Sequence, residues 1–249
     1  MRNVAMRLVG MTPVGQKAEG IVTDGLVAWY DFVPGGNAQV LYDKWAFGLH
    51  GQLGSTSGAD TNDPTWTAQG LIYGADDYVV VPAAPQINNV MRTTIMSVIR
   101  PDGWGGGSYG RIREKGNGSV MHVRDARVQF NRAFSVTPAG WYSEAGSIAL
   151  GTAYTVAVTY DQGSVLHVPV FYINRHVSAT SVVTAPEGVA SDDSASNLYF
   201  GNNSSANRNF DGPQCCYLEY NRILTPAEIA QNHQVLRGIM ARRGLVITV

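Results

Sequence analysis

Short runs of β-branched and aromatic residues, separated by turn-forming residues, recur along most of this chain of 249 residues. Such runs are typical of β-strands when Gly, Asp, Asn or Pro bounds them. The clearest are LVAWYDF at 26–32, GLIYGADDYVVVP at 70–82, TTIMSVIRP at 93–101, AYTVAVTY at 153–160 and QCCYLEYNR at 214–222. This pattern, with 28 glycines, predicts many short strands and turns rather than long exposed helices.

Weaker signals complete the β pattern. Further strands are predicted at 119–124, 127–131, 147–150, 165–173 and 197–201. Pro169 lies inside one of these runs and cannot donate a ladder hydrogen bond, so we expect an edge or a bulge there. The Gly-rich segment 102–110 is too rich in glycine for a strand and is predicted to be a loop.

A single helix is predicted near the C-terminus. Thr225 is a good N-cap, Pro226 occupies the first helical position, and Glu228 completes a capping box. The helix should continue to about Arg243 and end at Gly244.

Many strands followed by one helix predict an all-β fold, a two-sheet antiparallel jelly-roll sandwich with one C-terminal α-helix. Residues 1–22 show no sustained period and are predicted to form an extended N-terminal arm. The sandwich domain is then expected over 23–235, with its helix from about 226, and 236–249 as helix end and C-terminal tail.

The net charge and the distribution of apolar residues argue against two classes of partner, nucleic acids and membranes. The formal net charge is -1, and charged residues make up 15% of the chain, against roughly 25% in an average soluble protein. Nucleic-acid binding normally needs a basic patch, so we expect no nucleic-acid partner.

The chain contains no stretch of 18 or more apolar residues, and Arg7 interrupts the only segment that resembles a signal peptide. We therefore expect no membrane insertion, and synthesis in a cytoplasm without an export signal.

The two cysteines, Cys215 and Cys216, are adjacent in sequence. Neighbouring side chains of a strand point to opposite faces, so a disulfide between them would need a distorted backbone. We expect two free thiols, one of them facing the core.

The ordered segments resemble the laminin-G-like and concanavalin-A-like family of jelly rolls. The similar pieces are LVAWYDF at 26–32, GLIYGADDYVVVP at 70–82, YTVAVTYDQG at 154–163, VFYINRHV at 170–177 and the closing stretch 197–233. The resemblance implies a concanavalin A-like sandwich, a fold that serves lectins, adhesion modules, glycoside hydrolases, polysaccharide lyases and virus-particle proteins. Function therefore has to come from the site.

Hydrolysis is the first chemistry to weigh. A glycosidase needs two facing carboxylates, which the family's hydrolases place in a Glu-x-Asp-x-x-Glu pattern. None of the six glutamates stands in such a pattern: Glu19, Glu114, Glu144, Glu187, Glu219 and Glu228. We expect no enzymatic activity and no cofactor.

Calcium binding is the second chemistry to weigh, because some relatives bind this ion through loop aspartates. The candidate ligands are Asp43, Asp76, Asp77 and Asp211, provided that their loops converge. The alternative is that Asp76 and Asp77 accept backbone N–H bonds in a tight turn.

Sugar recognition needs exposed aromatic rings and neutral hydrogen-bonding groups. The candidates in or beside predicted loops are Trp104, Tyr109, Asn117, Trp141, Tyr142, Asn202 and Asn203. The alternative for Trp141 and Tyr142 is packing over the sandwich edge, because large aromatic side chains are usually mostly buried.

Two function classes follow. The first is a non-catalytic structural or adhesive part of a bacteriophage virion, such as a capsid decoration protein, head fibre or tail-associated module, made in the host cytoplasm and acting outside cells. Its expected partners are other virion proteins, copies of itself and surface glycans. Apolar side chains near both termini would dock on them: Val4, Met6, Leu8, Val9, Met11, Leu245, Val246, Ile247 and Val249. The alternative is that both ends fold back onto their own sandwich. The alternative class is a free carbohydrate-binding protein or polysaccharide-degrading enzyme.

Overall fold

The computed structural model describes residues 20–116 and 118–248. The strands within these ranges, numbered in chain order, are β1 (Leu26–Tyr30), β2 (Val40–Leu41), β3 (Gly51–Leu53), β4 (Thr65–Trp66), β5 (Leu71–Ile72), β6 (Val79–Val81), β7 (Arg92–Ile99), β8 (Gly110–Glu114), β9 (Ser119–Arg124), β10 (Arg127–Arg132), β11 (Ala139–Tyr142), β12 (Tyr154–Asp161), β13 (Val170–Ile173), β14 (His176–Ser178), β15 (Ser181–Thr184), β16 (Leu198–Phe200) and β17 (Pro213–Tyr220). One α-helix follows them, α1 (Pro226–Arg242). The predicted fold class is confirmed.

The described strands form two antiparallel sheets. The first, here the covered sheet, has the order β14-β13-β12-β7-β17-β5-β4, with β1 also paired to β17. The second, here the open sheet, has the order β15-β11-β10-β9-β8-β16-β6-β3-β2. Both mix strands from distant parts of the chain, so neither sheet forms without long-range pairing.

The principal core lies between the two sheets and is rich in aromatic side chains. Tyr30 and Tyr217 of the covered sheet meet Phe200 of the open sheet, with ring centroids 5.1 Å and 4.7 Å from Phe200. Phe130 and Tyr160 make a second such contact across the sheets at 5.6 Å. Edge-to-face geometry of this kind adds to the stabilisation that buried apolar area provides.

A second apolar layer lies on the outer face of the covered sheet, beneath α1. Ile229, Leu236 and Met240 of the helix pack there with Met96 of β7 and Leu218 of β17. The central strands of this sheet are therefore buried on both faces, and every residue of β17 is buried, including the polar Gln214 and Glu219.

Helix α1 starts after Thr225 and ends at Arg242, close to the predicted bounds. The Thr225 hydroxyl accepts a hydrogen bond from the Glu228 amide, and the Glu228 carboxylate accepts one from the Thr225 amide. Arg222 adds two hydrogen bonds to the same carboxylate, at 3.0 and 2.6 Å. Gly244 takes a positive φ of 73°, which favours glycine just beyond the helix. No helix in the described ranges combines the length and the apolar character that a membrane span requires.

The ends of the described chain pack on the domain itself. Ile21 and Val22 are buried beneath α1, so the folded domain includes them and the predicted boundary at residue 23 is too late. Leu245 and Ile247 are also buried there, and Ile247 pairs with Ala153 in a parallel bridge. The expectation that these two side chains dock on a neighbour is therefore wrong: the apolar surface under α1 already buries them.

The remaining docking candidates have different outcomes. Val246 alternates with its buried neighbours and is 77% exposed, so it stays available. Val249 and the N-terminal candidates Val4, Met6, Leu8, Val9 and Met11 lie outside the described residues.

Two strand predictions need correction. Residues 147–150 form turns and irregular backbone, with the Ser147 amide donating to the Glu144 carbonyl. Of the run 165–173 only β13 is a strand, because the residues before Pro169 lie at the surface and Leu166 is 86% exposed. The predicted loop 102–110 holds a short 3-10 turn, Gly106–Ser108, immediately before β8.

Candidate functional site

The outer face of the open sheet carries a row of polar side chains on the β9–β10 hairpin. Its two-residue turn, Asp125 and Ala126, has positive φ angles of 49° and 59°, as tight hairpin turns of this kind require. The turn fixes the register, so that His122 lies opposite Gln129 and Val120 lies opposite Asn131. The alternate residues of both strands point into the principal core.

Three of these outward side chains form a hydrogen-bonded chain. The Nε2 atom of His122 lies 2.9 Å from Oε1 of Gln129, and Nε2 of Gln129 donates to Oδ1 of Asn131 at 2.7 Å. Burial, reinforced by the nearby Arg111 charge, lowers the pKa of His122 to about 3. The imidazole is therefore neutral at physiological pH, and its Nε2–H donates to the Gln129 carbonyl oxygen.

This chain determines what Asn131 offers to a ligand. Its carbonyl oxygen is occupied by Gln129, whereas its amide N–H groups have no acceptor among the described residues. The half-buried Asn131 thus presents a preorganised pair of neutral hydrogen-bond donors to the solvent side of the sheet.

A groove of about 300 Å³ lies beside this hydrogen-bonded chain, and Gln129 and Asn131 both belong to its lining. Strands β9, β10, β11 and β15 supply its walls, where Val120, Pro138 and Val183 are apolar and Gln129 and Asn131 are polar. Such a mixture of apolar surface and a few fixed polar groups is typical of small-ligand sites.

Gly140 keeps this groove open. It lies opposite Asn131 in the β10–β11 pairing. A Cβ atom there would lie 3.3 Å from Oδ1 of Asn131, 3.6 Å from Cβ of Val183 and 3.7 Å from Nε2 of Gln129. Any larger side chain at this position would therefore occupy the groove between β10 and β15.

Two aromatic side chains flank the polar row. The guanidinium carbons of Arg124 and Arg208 lie 4.2 Å and 4.9 Å from the centroid of the Tyr109 ring. The centroid of the His122 ring lies 5.5 Å from that of Tyr109. Tyr142, opposite Gln129, lies beneath Arg127 at 5.2 Å. Both predicted tyrosines therefore belong to the same face as the groove.

The other predicted glycan-binding residues do not join them. Trp141 is fully buried between the sheets beside Phe130 and Tyr160, so the alternative of burial holds for it and it is not available to a glycan. Asn202 is also fully buried, and it donates to the carbonyls of Ala75 and Asp77 as a loop support.

Three candidates remain. Trp104 is half-buried and packs against the principal core. Asn203 makes a local hydrogen bond to Asn207. Asn117 lies outside the described residues.

The calcium candidates are dispersed. Asp43 is buried and accepts the amides of Trp29, Trp45 and Leu49. Asp77 accepts the Gly74 amide at 2.6 Å, as the tight-turn alternative predicted, and burial raises its pKa.

Asp76 binds the Asn62 side chain, and Asp211 lies against Gly103 in another loop. Nowhere in residues 20–116 and 118–248 do three or more His, Cys, Asp or Glu side chains gather to hold a metal ion.

The two glutamates that lie in described strands, Glu114 of β8 and Glu219 of β17, both interact with neighbouring side chains. Glu219 is buried, accepts the Tyr217 hydroxyl at 2.5 Å and lies 3.8 Å from Arg113. Glu114 pairs with Arg111 at 2.8 Å on the groove-bearing sheet.

A second surface cleft, of about 410 Å³, lies beside Pro85, Asn88 and Arg92. Two of its four polar side chains are already engaged: Asn88 binds Lys115 and the Ser194 carbonyl, and Arg92 pairs with Asp161. The groove over Asn131 is the better candidate site, because a hydrogen-bonded chain fixes the orientation of its polar groups.

Comparison with solved structures supports the fold. Trypanosoma rangeli sialidase matches with a TM-score of 0.60 at 17% identity, over 88% of this chain and 34% of the sialidase. The binding domain of Paraclostridial Mosquitocidal Protein 1 matches with a TM-score of 0.57 at 14% identity, over 84% of this chain and 52% of that domain. The chain thus spans between a third and about half of the length of these structures. No curated protein matches the chain significantly.

A family model also matches residues 73–230, more than half of the chain. This span includes the β9–β10 hairpin, Gly140 and the start of α1. It is described as a laminin G type of concanavalin A-like fold. The chain belongs to the concanavalin A-like lectin/glucanases superfamily.

Proposed function

We propose that this chain is a non-catalytic carbohydrate-recognition module that binds a neutral sugar in the groove over Asn131. The observation that carries the proposal is the His122–Gln129–Asn131 chain, which leaves the Asn131 amide N–H groups free at the floor of the groove. Sugar hydroxyls accept such neutral donors, and Val120, Pro138 and Val183 provide apolar surface for a sugar ring.

Among the described residues that line this groove there is no carboxylate, whereas glycosidic hydrolysis needs two carboxyl groups. Of the described glutamates on this sheet, Glu114 is engaged by Arg111, and Gln129 and Asn131 occupy the groove with neutral amides. A retaining or inverting glycosidase uses two carboxyl groups roughly 5–9.5 Å apart. We therefore propose binding without turnover, with a polysaccharide-degrading enzyme as the alternative.

We propose a bacteriophage virion as the setting, with the module serving in adhesion or capsid decoration. Support comes from the near-neutral formal charge of -1, which gives little self-repulsion between copies. It also comes from β15, an edge strand of the open sheet whose Val182 and Val183 are half exposed. An exposed apolar edge of this kind can pair with another chain. Light scattering of the purified chain tests this setting: a strict monomer at all concentrations would favour the free carbohydrate-binding alternative.

A glycan array followed by titration tests the binding site. Gly140→Val fills the groove and Asn131→Ala removes the free donors, and each should weaken binding of the best array glycan about ten-fold or more. Gly58→Val is the matched control, because a Cβ at Gly58 meets nothing within 4 Å. It should bind like the wild type.

The contrary outcomes are specific. Absence of any bound glycan, or wild-type affinity in folded Gly140→Val and Asn131→Ala, would overturn the assignment of the groove. Steady release of reducing sugar from a bound polysaccharide would overturn the non-catalytic part.

A further inference from the structure

A cluster of charged side chains is buried between the two sheets; one member, Arg132, also belongs to the lining of the groove. Arg113 and Lys115 are each only 1% exposed, and Arg132, Asp193 and Glu219 are at most 5% exposed. Lys115 and Arg132 lie 3.4 and 3.7 Å from the Asp193 carboxylate, and Arg113 lies 3.8 Å from Glu219. Charges at such depth require partners, since an uncompensated buried charge is strongly destabilising.

The charges of this cluster do not cancel. Lys115 donates three hydrogen bonds, to Oδ1 of Asn88 at 2.9 Å and to the carbonyls of Asp193 and Ser196 at 3.0 and 2.9 Å. Three donated bonds require the protonated ammonium form. Three cations therefore face two carboxylates, which leaves one positive charge in excess.

A small cavity lies at the centre of this cluster. Its volume is about 20 Å³, enough for one particle of roughly the size of a water molecule. All five charged side chains line it, together with Thr93 and Tyr160, which are paired on β7 and β12.

Three buried donors at this cavity are unsatisfied. Oγ1 of Thr93, the Nε–H of Arg113 and the Tyr160 hydroxyl have no hydrogen-bond partner among the described residues. Burial raises the pKa of Tyr160 to about 12, although Arg132 opposes this, so the phenol keeps its proton and can donate. Buried donors left without acceptors are rare in folded proteins.

We propose that this cavity binds one monovalent anion of the size of chloride, held by Thr93, Arg113 and Tyr160. The excess positive charge selects an anion, the volume selects a single atom over a carboxylate or phosphate, and the three donors supply its coordination. The bound ion would link β7, β8 and β12 at this end of the sandwich. A neutral water molecule accepts two hydrogen bonds, so it would leave one of the three donors without an acceptor, and it would leave the excess charge.

Thermal unfolding of the full chain tests the site. Sodium chloride is titrated against sodium gluconate at constant ionic strength, and the melting temperature of the wild type should rise with chloride and reach a plateau. Thr93→Val and Tyr160→Phe each remove one donor with little change of shape, and each should need about ten-fold more chloride for half of the rise. Tyr172→Phe, a buried tyrosine of the outer layer on β13, is the matched control and should respond like the wild type.

A crystal soaked in sodium bromide gives an independent result. An anomalous bromide peak within hydrogen-bond distance of the Tyr160 hydroxyl is expected. Coincident chloride and gluconate curves for the wild type, an equal chloride response in all four proteins, or no bromide peak in the cavity would each overturn the proposal.

Discussion

A ring of three hydrogen bonds joins α1 to the start of the described chain and to β17. Oδ1 of Asn232 accepts the Val22 amide, Nδ2 of Asn232 donates to the Tyr220 hydroxyl, and that hydroxyl donates to the Val22 carbonyl, all at 2.9 Å. Asn232 and Tyr220 are fully buried. We expect Asn232→Ala to be among the most damaging substitutions of the helix, although alanine is the better helix former.

The size of the effect follows from the groups left behind. The substitution removes two hydrogen bonds, each with a net contribution of about 1 kcal/mol, and leaves the buried Val22 amide without an acceptor at about 1–3 kcal/mol. Higher helix propensity returns about 0.5 kcal/mol. The net loss should be about 3 kcal/mol, or about 6–12 °C in melting temperature for a chain of this length.

Urea unfolding followed by circular dichroism measures this loss. Gln231→Ala is the control, because the neighbouring Gln231 is more exposed and binds only the Gly20 carbonyl. It should change the free energy of unfolding by no more than about 0.5 kcal/mol. Combined with Tyr220→Phe, Asn232→Ala should show a coupling of about 1 kcal/mol or more. An Asn232→Ala variant as stable as Gln231→Ala would show that these three hydrogen bonds do not stabilise the attachment of α1.

Three further predictions concern the C-terminal region and the thiols. Ile247→Ala should lower the free energy of unfolding, measured in urea, by about 2 kcal/mol, because Ile247 is buried. Val246→Ala, at an exposed position, should lower it by less than about 0.5 kcal/mol. Equal losses would contradict the packing of the C-terminal residues under α1. Hydrogen bonds from Arg222 lower the pKa of Glu228 from 4.5 to about 2, so stability present above pH 4.5 should fall as the pH drops towards 2, and urea midpoints of Glu228→Gln should vary less over this range. Burial raises the pKa of Cys215 to about 12 and that of Cys216 well above its ordinary value, so neither thiol should react with a disulfide reagent at pH 8 until the chain unfolds.

Local signals made the helix and the longest strands predictable. The Thr225 cap, Pro226 and Glu228 act within one turn, so the sequence alone places the helix start where the structure has it. Strands β7, β9 and β17 coincide closely with the predicted runs at 93–101, 119–124 and 214–222, which are rich in β-branched, aromatic or other apolar residues. The helix start depends on contacts within one turn, whereas for the strands the sequence predicts the element but not its partner.

Features that depend on the pairing of distant strands could not be predicted from the sequence. Trp141 lies in the four-residue β11, whose burial depends on pairing with β10 and β15. An irregularity between Gln214 and Cys216 places both thiols in the layer under α1, whereas the sequence predicted one thiol facing the core.

Only part of the groove could have been predicted from the sequence. The two-residue turn at Asp125–Ala126 would have paired His122 with Gln129, since the strands on both sides were predicted. The role of Gly140 could not be inferred, because it depends on β11 lying beside Asn131 and on Val183 from a strand 40 residues further along the chain. The tail was misjudged for a related reason: its apolar residues cover a surface that only α1 and the covered sheet create together.

A crystal structure of the chain with the oligosaccharide that it binds best on the array would show directly whether the groove over Asn131 holds the sugar. We predict sugar density in the groove of the open sheet, with a hydroxyl accepting from Nδ2 of Asn131 and a ring beside Gly140 and Val183. Density confined to the cleft beside Pro85 and Arg92, or to any surface away from Asn131, would contradict the account.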